Sequence, residues 1–215
     1  MTILSKSALA KLIATTPSLI EDSDPRQLKG ASYDLRLGAE YSLEGKIRRL
    51  GQNEPSLIIP PYQLAIVTTH EKVNLTDALT AHFGLRLGLV KRGLLFSNEP
   101  QIDPGYRGRL ACLLFNLSNE DVRIDHMHHF ATIEFEDVDP TAPPYDGPMQ
   151  GFDTLSQFFE GVDKLPVSAL AHLEQRVNTT ADRIEKIIPI LMTAFAGIIS
   201  LLAVVLAILT LLLRG

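Results

Sequence analysis

The chain has 215 residues, with 20 Lys plus Arg against 25 Asp plus Glu for a net charge of -5, and it contains one cysteine. A single cysteine excludes an internal disulfide framework and fits a reducing compartment. The mildly acidic balance, without a basic run, leaves no footprint for binding a nucleic-acid backbone.

Residues 1–16 hold no apolar core of signal-peptide length, because Lys6 and Lys11 interrupt it, so the N-terminal domain is expected to stay in the cytosol. From Ser5 to Ile13, apolar residues recur at helical spacing behind serine caps and predict a short helix. Residues 22–29 are polar, contain a proline and read as a loop. Between Gly30 and Arg49 the pattern alternates, with Tyr33, Leu35 and Leu37 on one side and Ser32, Asp34 and Arg36 on the other. Short strands are expected at 57–59, 64–68, 81–87, 93–96, 109–115 and 131–135, each closed by turn residues. Such spacing predicts a mainly β fold, a barrel or jelly roll. His126, His128 and His129 form a cluster in which an i, i+2 pair on a strand could bind zinc, but no cysteine or paired carboxylate stands at a second ligand spacing. A turn or strand end is the other reading.

Residues 137–166 form a connector rich in proline and glycine, including Pro140, Pro143 and Pro144, with an apolar patch at Phe152, Leu155, Phe158 and Phe159. It is too aromatic for a free linker and is expected to pack on the domain as an arm. Beyond Pro166 the period becomes a heptad through Leu170, Leu173, Val177, Thr180, Ile184, Ile187 and Leu191. This predicts a parallel coiled-coil stalk over 167–186, with a lone amphipathic stalk as the alternative. The stalk runs into residues 187–213, which carry no charge and exceed the roughly 20 residues that cross a bilayer core. Lys186 and Arg214 bracket this run, Pro189 is expected in its first turn, and Thr193, Gly197 and Ser200 are the expected helix contacts. The implied topology is a single-pass, tail-anchored protein with a cytoplasmic N-terminal domain, in weak agreement with the positions of Arg183 and Lys186.

Several segments carry a resemblance. They are Ile3-Leu-Ser; Gly30-Ala-Ser-Tyr-Asp-Leu-Arg-Leu-Gly38; Pro60-Pro-Tyr-Gln-Leu-Ala-Ile-Val-Thr-Thr-His-Glu-Lys-Val73; Ile102-Asp-Pro-Gly-Tyr-Arg-Gly108 with Leu114-Phe-Asn116; and Phe135-Glu136. In this order and spacing, the chain over 1–136 resembles the dCTP deaminase and trimeric dUTPase family. The resemblance implies a dUTPase-like distorted β-barrel or jelly roll, a homotrimer with nucleotide sites at its subunit interfaces, and Mg²⁺ held by the nucleotide triphosphate. It implies nucleotide contacts at Arg86, Gly88, Lys91, Asp103 and Tyr106, with Asp103 as the candidate catalytic residue. The family's phosphate-cradling Gly-Arg-Ser loop reads Leu85-Arg86-Leu87-Gly88 here, so the arginine is kept and the serine is not. At the family's general-base glutamate stands Leu113, beside Cys112 and Leu114. For Asp103-Pro-Gly-Tyr106, a hairpin turn and a retained pocket are both open readings.

The leading reading is therefore a membrane-anchored trimer with a degenerate site that binds or senses a deoxynucleotide and couples it to the membrane helices, by analogy with bacterial defence effectors. A tethered dCTP deaminase or dUTP pyrophosphatase and a non-binding trimeric scaffold are the alternatives.

Overall fold

The computed structural model describes residues 2–97, 101–138 and 143–213, so Pro140 and Arg214 lie outside the described residues. Helix α1 (Lys6–Thr15) begins where the Ser5 hydroxyl accepts the Ala8 amide, and it buries Leu9. Eleven strands follow in the described chain: β1 (Ile20–Glu21), β2 (Tyr33–Leu43), β3 (Lys46–Arg49), β4 (Ser56–Ile59), β5 (Leu64–Asn74), β6 (Leu79–Leu85), β7 (Leu94–Phe96), β8 (Gln101–Ile102), β9 (Arg107–Asn116), β10 (Val122–Asp125) and β11 (His129–Asp137). Their order is β7-β9-β5-β2-β11-β6-β8, with β1 on β5, β3 on β2, and β4 with β10 as a separate pair. Every pairing is antiparallel, which gives the expected mainly β architecture. The inward residues of β2, β5, β9 and β11, among them Tyr33, Leu35, Val67, Leu114 and Phe135, form the core.

Three local readings change. Strand β6 stops at Leu85, and Arg86 leads into a one-turn helix, α2 (Leu87–Val90). The alternating Leu85, Leu87 and Leu89 mimic the period of a strand, which concealed the helix. Asp34, expected on the polar side of β2, is buried because β11 covers that edge. Pro189 lies inside the continuous helix α4 (Ala169–Leu212) rather than in a first turn. It therefore withholds an amide from the Glu185 carbonyl one turn earlier.

The described chain divides into two compact units, Met1–Ser168 and Ala169–Gly215. Most of the second is α4, 44 residues and about 66 Å long by helical rise. None of its residues is buried, and its apolar stretch reaches a mean hydropathy of 2.8. Among the described residues it is the one helix long and apolar enough to cross a membrane.

Candidate functional site

The link from β8 to β9 is the turn Asp103-Pro104-Gly105-Tyr106, closed by the Tyr106 amide donating to the Asp103 carbonyl at 3.2 Å. Gly105 has φ +77°, and a Cβ there would stand 2.7 Å from Pro144 Cβ, so both conformation and space select glycine. The Asp103 carboxylate is steadied by Gln101, whose Nε2 donates to Oδ1 at 3.3 Å. Tyr106 is almost wholly buried, its hydroxyl donates to the Arg109 carbonyl, and burial pushes its pKa up, so it stays protonated. Asp103 and Tyr106 face one cleft of about 210 Å³, with Phe83, Ile102, Leu110 and Ala111 as its apolar barrel side.

The other wall of this cleft comes from the connector: Tyr145, Met149, Phe152 and Phe158. The Tyr145 ring lies 5.7 Å from that of Tyr106, and the Tyr145 amide donates to the Pro104 carbonyl at 2.7 Å. Gln150 donates to the Gly105 carbonyl at 3.0 Å and accepts the Arg107 amide at 2.8 Å. The Arg109 amide donating to the Phe152 carbonyl and the Gly151 amide donating to the Arg107 carbonyl, each at 2.8 Å, continue the clasp along β9. The connector then makes a helical turn, α3 (Leu155–Phe158), closed at its start by a reciprocal pair of bonds between Thr154 and Gln157. Glu40 Oε2 accepts the Leu155 amide at 2.9 Å, and Phe152, Leu155 and Phe159 are buried with Ile66 of β5. The arm expected from the sequence thus packs on the barrel and also builds the cleft.

An ion-pair cluster ties the arm down: Asp153 Oδ1 lies 2.8 Å from Arg109 Nε and 3.1 Å from Lys72 Nζ. Burial raises the Asp153 pKa, but the hydrogen bonds and charges of Lys72 and Arg109 outweigh it and hold the carboxyl below the usual carboxylate range. A depressed folded-state pKa means that this contribution is present above the ordinary carboxylate pKa of about 4 and fades as pH falls through the folded value. Arm docking is therefore expected to weaken below about pH 4, and Asp153→Asn to abolish that acid sensitivity. Hydrogen exchange at the Gly151 amide, which donates to the Arg107 carbonyl at 2.8 Å, reads this as a function of pH. Equal protection at pH 7 and pH 3 in the native chain would count against the clasp.

Leu113, where the resemblance places a general base, packs against the cluster of Ile66, Phe152, Leu155 and Phe159. Its neighbour Cys112 is buried, which pushes the thiol pKa up and keeps it unreactive. Neither Leu113 nor Cys112 is among the residues that line the cleft, whose one described acidic residue is Asp103.

The remaining candidate contacts are elsewhere in the chain. Arg86 is at the start of α2, and its Nη1 lies 3.4 Å from Asp34 Oδ2. Asp34 also faces Lys29 Nζ at 3.5 Å and accepts the Thr132 hydroxyl at 3.1 Å. Gly88 has open space where a Cβ would stand, and Lys91 is exposed at the end of α2. Within one chain, then, Asp103 and Tyr106 share the cleft, while Arg86, Gly88 and Lys91 are not among its lining residues. Of the three histidines, His128 and His129 have rings 5.6 Å apart and His126 lines a second cavity; among the described residues no group of three or more His, Cys, Asp or Glu could hold a metal ion. Sequence reasoning missed Tyr145 and Met149 as cleft residues, and Asp34 as the partner of Arg86. The aromatic patch in the connector was the available signal for the former.

The model of the dCTP deaminase-like family matches residues 3–138. The dCTP deaminase of Pyrococcus horikoshii is 37% identical over 138 residues, covering 64% of this chain and 87% of that protein. That of Thermococcus gammatolerans is 37% identical over 134 residues, covering 62% and 84%. Among solved structures, the 2'-deoxycytidine 5'-triphosphate deaminase from Agrobacterium tumefaciens aligns with a TM-score of 0.53 at 18% identity. That alignment covers 63% of this chain and 48% of the other, and it shows a shared fold.

Proposed function

The chain belongs to the dCTP deaminase-like family through residues 3–138, and on that premise we propose that it is a membrane-anchored homotrimer that binds a deoxynucleoside triphosphate without converting it. The observation that carries this reading is the apolar packing of Leu113 against the arm. Hydrolytic deamination needs a base to take a proton from the attacking water, and where the resemblance places that base the chain carries an apolar side chain. Asp103 and Tyr106 remain to hold the sugar side of a nucleotide, and Arg86, Gly88 and Lys91 of another subunit supply the phosphate side. Mg²⁺ fits this site only as a passenger on the triphosphate: among the described residues no group of three or more His, Cys, Asp or Glu could hold a metal ion. Hard divalent ions of this size are commonly carried on phosphates in that way.

The arm supports a sensing role. It contacts the Asp103–Tyr106 turn at one end and leads in sequence to α4 at the other. A ligand whose affinity depends on where the arm lies shifts the arm's populations, and three stalks on one axis carry the change to the spans at 187–213. The domain organisation of 1–136, the arm at 137–166, the stalk at 167–186 and the span serves that coupling, with the first of these on the cytoplasmic side of the bilayer. A membrane effector, such as a defence protein, is the biological setting that this layout suits.

The second reading, a tethered dCTP deaminase or dUTP pyrophosphatase, is favoured by the position of Asp103 beside Tyr106 in the cleft. Calorimetric titration of the full chain in detergent micelles with deoxynucleoside triphosphates and Mg²⁺, with product assayed in the same samples, separates the two. Expected are saturable binding, no product, and affinity weakened about tenfold or more by Arg86→Ala, equivalent to about 1.4 kcal/mol. Turnover lost in Asp103→Asn would establish the enzyme instead. Absence of binding would leave a trimeric scaffold, and a monomeric mass in the same micelles would remove the trimer.

A further inference from the structure

A second, polar cavity of about 430 Å³ lies apart from the nucleotide cleft. It is built by two irregularities in neighbouring strands. Between Leu37 and Tyr41, β2 spends four steps where β5 spends two, from Thr69 to Val67. Between Thr68 and Lys72, β5 spends four steps where β9 spends two, from Ala111 to Arg109. Extra residues of this kind break the ladder and turn side chains away from their regular faces, and they recur beside functional sites. Here they leave Glu40 and His70 lining the cavity.

The broken ladder is repaired by side chains. The Thr69 hydroxyl donates to the Glu71 carbonyl at 2.7 Å and accepts the Leu110 amide at 2.9 Å. Arg109 donates to the carbonyls of Thr69, at 3.1 Å, and His70. Gly38 is required at this point, because a Cβ would stand 2.6 Å from the Thr69 carbonyl oxygen. From a third direction comes His126, in the turn between β10 and β11, where Met127 takes φ +64° and the His126 amide donates to the Pro55 carbonyl at 2.8 Å.

The cavity's acidic groups are largely committed. Glu40 Oε2 accepts the Leu155 amide, and Asp153 Oδ1 faces Arg109 and Lys72. The less committed lining groups carry nitrogen atoms. Arg49, mostly exposed, has Glu40 Oε1 at 3.6 Å as its one ion-pair partner among the described residues. His126 Nε2 is shielded from solvent and has no hydrogen-bond partner among the described residues. The His70 imidazole likewise makes no described side-chain hydrogen bond, its backbone carbonyl being the group that Arg109 engages. The Arg49 guanidinium and two imidazoles line the cavity. Arg49, with Arg109 and Lys72 beside the occupied carboxylates, supplies positive charge, and the imidazoles supply hydrogen-bonding nitrogens for a ligand that brings acceptors.

We propose that the paired-bulge cavity bounded by Arg49, His70 and His126 is a second binding site, for a small oxyanion of phosphate chemistry. It does not depend on the nucleotide reading of the Asp103 cleft. Because Glu40 and Asp153, which line the cavity, also hold the arm, an anion seated here touches the same clasp.

The test is imidazole NMR of the full chain in detergent micelles, titrated separately with inorganic phosphate and with AMP. Phosphate is expected to shift the His70 and His126 signals saturably while sparing His82 and His172. Arg49→Gln, an exposed position whose loss does not threaten folding, is expected to weaken the apparent affinity at least tenfold. Asp103→Asn should leave it unchanged. If AMP binds at least tenfold tighter than inorganic phosphate at the same two histidines, the occupant is a phosphate ester; comparable affinities make it free phosphate. The proposal is overturned if neither probe moves His70 and His126, if all histidines move alike, if Arg49→Gln binds as tightly as the native chain, or if Asp103→Asn removes the shifts.

Discussion

Glu71→Ala is expected to lower the unfolding free energy by about 3–5 kcal/mol, read as a fall in the urea midpoint at constant m-value. The Glu71 side chain is wholly buried, and its Oε1 accepts Arg36 Nε at 2.6 Å and the Tyr33 hydroxyl at 3.4 Å. Oε2 accepts the Arg36 amide at 2.9 Å. Burial pushes the Tyr33 hydroxyl up to about 12, so it donates throughout the neutral range. Removing the carboxylate strands the Arg36 guanidinium, whose side chain is only 13% exposed and whose other partner is the Asp22 carbonyl. Stranding a buried charge costs far more than the pair itself contributes. The double replacement Glu71→Leu with Arg36→Met is therefore expected to recover much of the loss. A single variant with an unchanged midpoint, or a double variant no better than the single one, would refute the pair's role. Glu71 lies in the extra turn of β5 beside Thr69 and His70, so the damage should extend to the polar cavity.

Leu113→Glu tests the apolar packing beneath the arm. Placing a carboxylate where the resemblance puts a general base is expected to destabilise the protein by about 2–3 kcal/mol and to yield no deaminated product. The new side chain would enter the packing of Ile66, Phe152, Leu155 and Phe159, with no cationic partner in that cluster. Its pKa should rise through desolvation, and the arm should loosen before the whole barrel does. Hydrogen exchange at the Leu155 amide should therefore quicken more than at Leu114 in the core strand β9. Product formation from dCTP by this variant would show that the cleft needs only the base to act. Native stability with a protected arm would show that the apolar cluster is not what excludes a carboxylate.

The sequence by itself determined the β architecture, the short capped helix and the long apolar one. Each depends on a period that neighbouring residues carry: two for Tyr33, Leu35 and Leu37, and near three and a half from Leu170 to Leu191. The resemblance singled out Asp103 and Tyr106, and the turn chemistry of Asp-Pro-Gly-Tyr keeps them three residues apart and so in one place. Only the tertiary structure decided what surrounds them. Tyr145 and Met149 reach the cleft because the arm bonds back to Pro104 and Gly105, a pairing about 40 residues apart that no local pattern encodes. Arg86 meets Asp34 because β2 and β6 flank β11, and that strand order is a property of the whole sheet. The paired bulges of β2 and β5 were illegible for the same reason. A bulge is a mismatch in step count between two strands, so neither strand's own sequence can announce it.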